Sequence, residues 1–214
     1  MEGLSKTDIG SPVQDRVEAN RSHLRHFKPF FVYLPLGAIF LTWVGVAAPF
    51  SWKLGTLMFV LGAVSWTLLE YGIHRWAFHF RFNSREERPL LSRSHLAHHD
   101  DPKAIEFIFV RLHVSVPVSL LIFIVLWGGL GQWQEAVVTL TGMWAGYLFY
   151  EFMHYSAHFR TPQTRPMRFL KKYHMLHHHQ DEHTRFGVTT PLLDWLFGTY
   201  RPISAKSDSH PQMI

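Results

Sequence analysis

From residue 30 onward the chain alternates between long apolar runs and short, densely polar segments. Four runs, 30–48, 54–72, 112–130 and 136–154, hold about 19 residues each with almost no charge. As a helix, each would reach roughly 28 Å, close to the hydrocarbon thickness of a bilayer. They are apolar all round rather than along one stripe. A chain of 214 residues is too short to wrap four such helices in a soluble core. The runs come in two pairs, joined by "PFSWK" and "GQWQE", connections short enough to force antiparallel hairpins. The pattern predicts an all-α membrane protein with four transmembrane helices arranged as two hairpins. Residues 1–29 read as a polar leader, 30–200 as the integral-membrane domain and 201–214 as a flexible tail.

Charge sets the expected orientation. Of 21 Lys and Arg, all but Lys53 fall in the leader, in 75–111 or after 159, which puts them on one side of the membrane. The positive-inside rule makes that side the cytoplasm. Trp52 and Trp133 lie at the opposite ends, where interfacial aromatics belong. This placement accounts for the net charge of +5 without nucleic acid. Cysteine is absent, which excludes disulfides and thiolate metal sites.

The polar segments carry the histidines, and they carry them twice. The second run leads through His74 and His79 to His95, His98 and His99. The fourth leads through His154 and His158 to His174, His177 and His178. His79 to His95 and His158 to His174 are both steps of 16. Two hairpins, each followed by a spaced pair and then His-x-x-His-His, indicate an internal duplication, with repeats at about 54–99 and 136–178. On a helix His154 and His158 lie about 40° apart and share a face. Each trio, if helical, projects from one side and can serve two adjacent metals. His74 and His79 would lie about 140° apart on a regular helix; either the helix is irregular there or the two address different ions. Ten imidazoles at the cytoplasmic helix ends form a histidine-rich helical cap that suits two metal ions with about five nitrogens each. His23, His26, His113 and His210 read as hydrated interfacial residues, and His179 and His183 as neighbours of the ligand set.

Glu70 and Glu151 lie near the ends of apolar runs, where a carboxylate is costly without a partner. The expected role is to accept a free imidazole N–H and fix ring orientation. A carboxylate-bridged site would need two Glu-x-x-His motifs and two further glutamates; only Glu151 has that spacing to a histidine. Imidazole suits zinc, copper, iron and nickel. Ten histidines exceed a four-ligand structural zinc site, and the His-Glu-x-x-His of zinc hydrolases is missing. Two irons with neutral nitrogen ligands at a membrane surface suit O₂ activation against a lipid C–H bond, with zinc expected to substitute in purified protein.

These motifs, with "EYGIHRWAFHF", "GYLFYEFMHYSAHF" and "RFGVTTPLLDWLFGTY", resemble the fatty acid hydroxylase and sterol desaturase superfamily over roughly 55–200, and within it the fatty acid (sphingolipid) 2-hydroxylases. The resemblance implies two irons held by the ten histidines and oxygen insertion beside an acyl carbonyl. Eukaryotic 2-hydroxylases commonly carry an N-terminal haem domain with a His-Pro-Gly-Gly signature, which this chain lacks. The expected electron donor is therefore a separate b-type cytochrome, or a ferredoxin with its reductase. Expected polar contacts to the lipid substrate are Tyr150, Tyr155, Tyr173 and Asp194. The alternatives are a sterol or carotenoid hydroxylase or desaturase on the same scaffold, and a non-enzymatic metal-binding membrane protein. The location implied is a multi-pass protein of a bacterial inner membrane or the endoplasmic reticulum, active site toward the cytoplasm.

Overall fold

The computed structural model describes residues 24–47, 49–80 and 89–203, all-helical with no strand among them. The polar leader through residue 23 and the tail from 204 lie outside the described residues. Helix α1 is Lys28–Ala47 and α2 is Trp52–Gly72, continued without a break by a π-helical turn, Ile73–Phe78. Then come α3 (Leu90–Asp100), a 3₁₀ turn (Ile105–Phe107), α4 (Leu112–Leu130), α5 (Trp133–Phe159), α6 (Arg165–His179) and the short α7 (Leu192–Leu196). The apolar runs end where local chemistry stops them. Ser51 caps α2 by accepting from Leu54 N. Gly131 adopts φ 75° beyond α4, and its N–H bonds Trp127 O.

Three segments are long and apolar enough to cross a membrane: Lys28–Ala47, Trp52–Phe78 and Ile105–Leu130. Helix α5 is not among them, although its run was expected to span. The reason is its place in the bundle. It packs against α1, α2, α4 and α6, so most of its surface meets protein, with Ala145 and Phe149 left exposed. It can therefore carry Thr139, Thr141, Gly142, Tyr147 and Glu151, all buried. By contrast α4 buries only Ser115 and exposes Leu120, Leu121, Ile124 and Val125, as a lipid-facing helix does.

With little hydrophobic drive between apolar helices inside a bilayer, close packing and buried hydrogen bonds must hold the bundle. Helices α2 and α5 cross at glycines: a Cβ on Gly62 would collide with Thr139 O, and one on Gly142 with Phe59 O. Tyr33 Oη donates to Ser115 Oγ at 2.8 Å, tying α1 to α4. Trp144 Nε1 donates to Ser119 Oγ at 3.1 Å, tying α4 to α5.

Candidate metal centre

The π-turn resolves the odd spacing of the first histidine pair. His79 N bonds His74 O at 3.2 Å, an i→i+5 link that widens the turn and lets both rings face the same way. Their centroids are 5.1 Å apart. In the second repeat a regular α-helix suffices, because His154 and His158 are four apart, with centroids at 5.0 Å.

The ten patterned histidines come together as two groups of five. One is His74, His79, His95, His99 and His177; the other is His98, His154, His158, His174 and His178, and within each the candidate ligand nitrogens lie within 4.8 Å of one another. The two groups exchange a histidine between the two stretches of sequence that supply them. On α3, His95 and His99 stay with their own half while His98 crosses to the other. On α6, His174 and His178 stay while His177 crosses. The i, i+3, i+4 spacing makes this possible, since the middle residue is rotated away from the outer two.

The donor set fits metal. In the first group the Nε2–Nε2 separations are 3.1 Å (His74–His95), 2.9 Å (His79–His95), 3.1 Å (His95–His99) and 3.2 Å (His79–His177). In the second they are 3.0 Å (His98–His154), 3.1 Å (His98–His158), 2.9 Å (His158–His174) and 3.1 Å (His174–His178). Two nitrogens each about 2.1 Å from one ion and at right angles would be about 3.0 Å apart. Three rings have their tautomer set by backbone carbonyls: Nδ1–H of His74 donates to Phe186 O (2.5 Å), of His177 to Thr184 O (2.7 Å) and of His154 to Ile108 O (3.2 Å). Their Nε2 atoms are thereby left as lone pairs pointing at other nitrogens, an arrangement that a cation relieves. Burial, reinforced by neighbouring imidazoles, holds His95, His98, His174, His177 and His178 well below the ordinary histidine pKa and brings His99 down to about 3. The rings are neutral at pH 7, the form that ligates.

Glu70 and Glu151 act one step further out than their spacing predicted. Neither takes the Nδ1–H of His74 or His154; those go to carbonyls. Each carboxylate instead holds the loop that supplies the carbonyl. Glu70 Oε1 accepts from Val188 N (2.6 Å) and Thr189 N (2.9 Å), and its Oε2 from Thr189 Oγ1 (2.5 Å). Glu151 Oε1 accepts from Val110 N at 2.9 Å. In both halves the residue held lies two positions beyond the accepting carbonyl: Val188 after Phe186, Val110 after Ile108.

Of the expected substrate contacts, only Tyr150 lines the cavities beside the histidines. Tyr155 stacks on Phe109 and Phe159. Tyr173 is buried and stacks on Tyr200. Asp194 is fully buried; its carboxylate accepts from Phe186 N (2.7 Å), Gly187 N (2.8 Å) and Thr199 Oγ1 (2.7 Å). It is a latch for the loop that orients His74 and His177. Arg185 sits between the two accepting carbonyls with φ 62°, a left-handed turn that aims Thr184 O and Phe186 O at two rings of one cluster. The spacing of side chains gave no signal for these backbone acceptors; the only trace was the motif "RFGVTTPLLDW" itself. His179 and His183 are exposed and lie outside both groups.

A cavity of about 420 Å³ opens beside the centre and touches one member of each cluster, His95 and His154. It shares Phe78, Leu91, Val110, Val114 and Tyr150 with a narrower cavity of about 90 Å³ that runs among α2, α4 and α5. The narrow part is walled mostly by apolar side chains, among them Ile122, Leu140, Met143 and Trp144.

The fatty acid hydroxylase family model matches residues 59–199. The chain is 32% identical over 154 residues to a dihydroceramide fatty acyl 2-hydroxylase of Arabidopsis thaliana, covering 71% of this chain and 63% of that protein. It is 32% identical over 161 residues to fatty acid 2-hydroxylase of Mus musculus, covering 73% and 41%. Among solved structures it is similar to full-length scs7p, of which only the hydroxylase domain is visible, with a TM-score of 0.72, 26% identity and coverage of 83% and 67%. The match thus spans about two fifths to two thirds of these relatives' own length. With the matched segment carrying both histidine clusters, the chain belongs to the fatty acid hydroxylase family.

Proposed function

We propose that the chain is a membrane-bound monooxygenase that hydroxylates a lipid acyl chain close to its polar end, with two irons in the twin clusters, O₂, and electrons from a separate carrier. The observation that carries this is the shared cavity: both five-histidine clusters face a space whose far end narrows into an apolar slot. Iron bound there would supply O₂ activation and hydrogen abstraction from carbon. The ten histidines would hold it, and the carbonyls of Phe186, Thr184 and Ile108 would keep three of the rings in the ligating tautomer. Tyr150 stacks on His154 (5.7 Å, 24°) and borders both cavities, so it sets how an acyl chain passes the centre. Phe78 and Leu91 wall the same passage against water. No side chain is needed as nucleophile. Acyl 2-hydroxylation is named for the relatives, and the adjacency of the clusters to the wide end of the cavity, which Arg93 and Arg111 also line, favours the same position here. Incubation with lipid, reductant and ¹⁸O₂ should place one labelled oxygen in the product, read by mass spectrometry. Label from H₂¹⁸O, or turnover without O₂, would end this reading.

In this proposal residues 30–200 form one membrane domain, α5 is the fourth span, and the histidine cap, leader and tail face the cytoplasm. The skew of Lys and Arg supports it. With no native cysteine, Gln134→Cys should label only from outside and Gln163→Cys only from the cytoplasm. The reverse pattern would refute the orientation.

A further inference from the structure

The wide cavity is electrostatically one-sided. Arg93, Arg111 and His113 line it, and among the described residues no Asp or Glu does. An outer bay shares Phe109, Val110, Arg111 and His113 with it and adds Arg25, His26 and Lys28, with Glu106 the one carboxylate among the described residues that line it. Basic residues are expected on this side of a membrane protein, but these line the route to the histidines rather than merely the surface. They are also close to the chemistry. Arg93 is two residues before His95. Arg111 follows Ile108, whose carbonyl orients His154, by three residues, at most about 10 Å of backbone. A substrate whose acyl chain occupies the apolar slot and whose reacting carbon sits at His95 and His154 must put its polar end among these cations.

We propose that this mouth selects an acyl substrate whose polar end is an anion, a carboxylate or a phosphate, over one with a neutral headgroup. The inference rests on the acyl-hydroxylase reading for its function, but not for its binding test. Arg111 is the selecting residue: it belongs to both the cavity and the outer bay, and its guanidinium offers paired donors that suit either anion. Its side chain is exposed and caps α4 only through its backbone, whose carbonyl accepts from Val114 N and Ser115 N. Substitution there leaves the helix start intact.

The test uses the full chain in nanodiscs of phosphatidylcholine, with radiolabelled palmitate, palmitoyl-CoA and N-palmitoyl sphinganine as probes. At least one anionic probe should bind more tightly than the neutral ceramide; palmitate ahead of palmitoyl-CoA identifies a carboxylate, the reverse a phosphate. Arg111→Gln should weaken binding of that anion roughly ten-fold, Arg111→Lys should restore most of it, and ceramide binding should not move. Arg93→Gln is the second variant, with helix content and bound metal checked in each. Ceramide bound as tightly as either anion, or anion binding unchanged in both glutamine variants, overturns the proposal. Hydroxylated product is assayed on the same samples: anion preference without any product sinks the hydroxylase reading and leaves the selectivity standing.

Discussion

The two histidine clusters share one pattern of ligand spacing and are held with very different firmness. In the first, a π-turn brings His74 and His79 together, Glu70 makes three hydrogen bonds to the 188–189 backbone and side chain, and Asp194 makes two more to Phe186 and Gly187. In the second, an unbroken α-helix presents His154 and His158, and Glu151 holds its loop through Val110 N. That lightly held loop, 108–111, is also the one that borders the wide cavity. One half is thus held firmly on both sides, while the other rests on a loop that lines the wide cavity. The exchange of His98 and His177 ties the halves together, so neither cluster is complete without its neighbour.

The exchange makes the largest prediction. Metal content should follow the cluster, not the repeat. His177→Ala and His79→Ala, from different halves, should each empty the same site, and their combination should add little. His79→Ala with His98→Ala should strip both sites. Metal per chain by inductively coupled plasma mass spectrometry separates the cases, and all these variants should lose hydroxylation. Metal loss that tracks the repeat instead would break the comparison at its root.

Next in size is the latch. Asp194→Ala orphans two buried backbone N–H groups, each worth about 1–3 kcal/mol, and frees the carbonyls of Thr184 and Phe186 from their positions. Thermal unfolding should show a loss of a few kcal/mol, and metal affinity at the first cluster should fall about 10–100-fold. Loss confined to the second cluster would contradict the assigned geometry. A milder contrast follows from the two glutamates. Glu70→Gln disturbs three hydrogen bonds and Glu151→Gln one among those described, so the first should cost more, by about 1–2 kcal/mol. Equal or inverted losses in denaturation would show that the halves are not held unequally.

How much of this was legible in the sequence differs by level. Helix positions were, because apolar runs of bilayer length need no tertiary knowledge; α1, α2 and α4 begin and end within two residues of the expected bounds. Helix α5 ran longer at both ends, because polar residues in its first and last turns, Gln134, Glu135, Ser156 and His158, end the apolar run without ending the helix. The grouping of histidines into two fives was expected from their number, while the membership was not: whether His98 faces its own half depends on how α3 and α6 lean together. The π-turn was one of two alternatives that spacing left open. The roles of Glu70, Glu151 and Asp194 were missed in detail because most of their partners are backbone N–H groups, which look alike at every residue.

The smallest effect expected lies at the slot, away from the histidine clusters. Trp144 Nε1 donates to Ser119 Oγ across the α4–α5 contact, and both residues line the narrow cavity. Helix α4 is otherwise loosely held, with Ser115 its one buried residue, so this bond fixes its distance from α5, and the Tyr33–Ser115 bond its distance from α1. Ser119→Ala removes the acceptor and about one methyl-sized group's worth of contact. Hydrogen bonds between membrane helices average about 0.6 kcal/mol, so the unfolding temperature should barely move. The indole, left without its partner, is free to turn, and the slot should lengthen. Given a mixture of acyl chains, the variant should shift its hydroxylated products toward longer ones while total turnover stays close to wild type. A distribution that does not change would mean that chain length is read elsewhere, and that the second half contributes only the loop at the mouth to substrate choice.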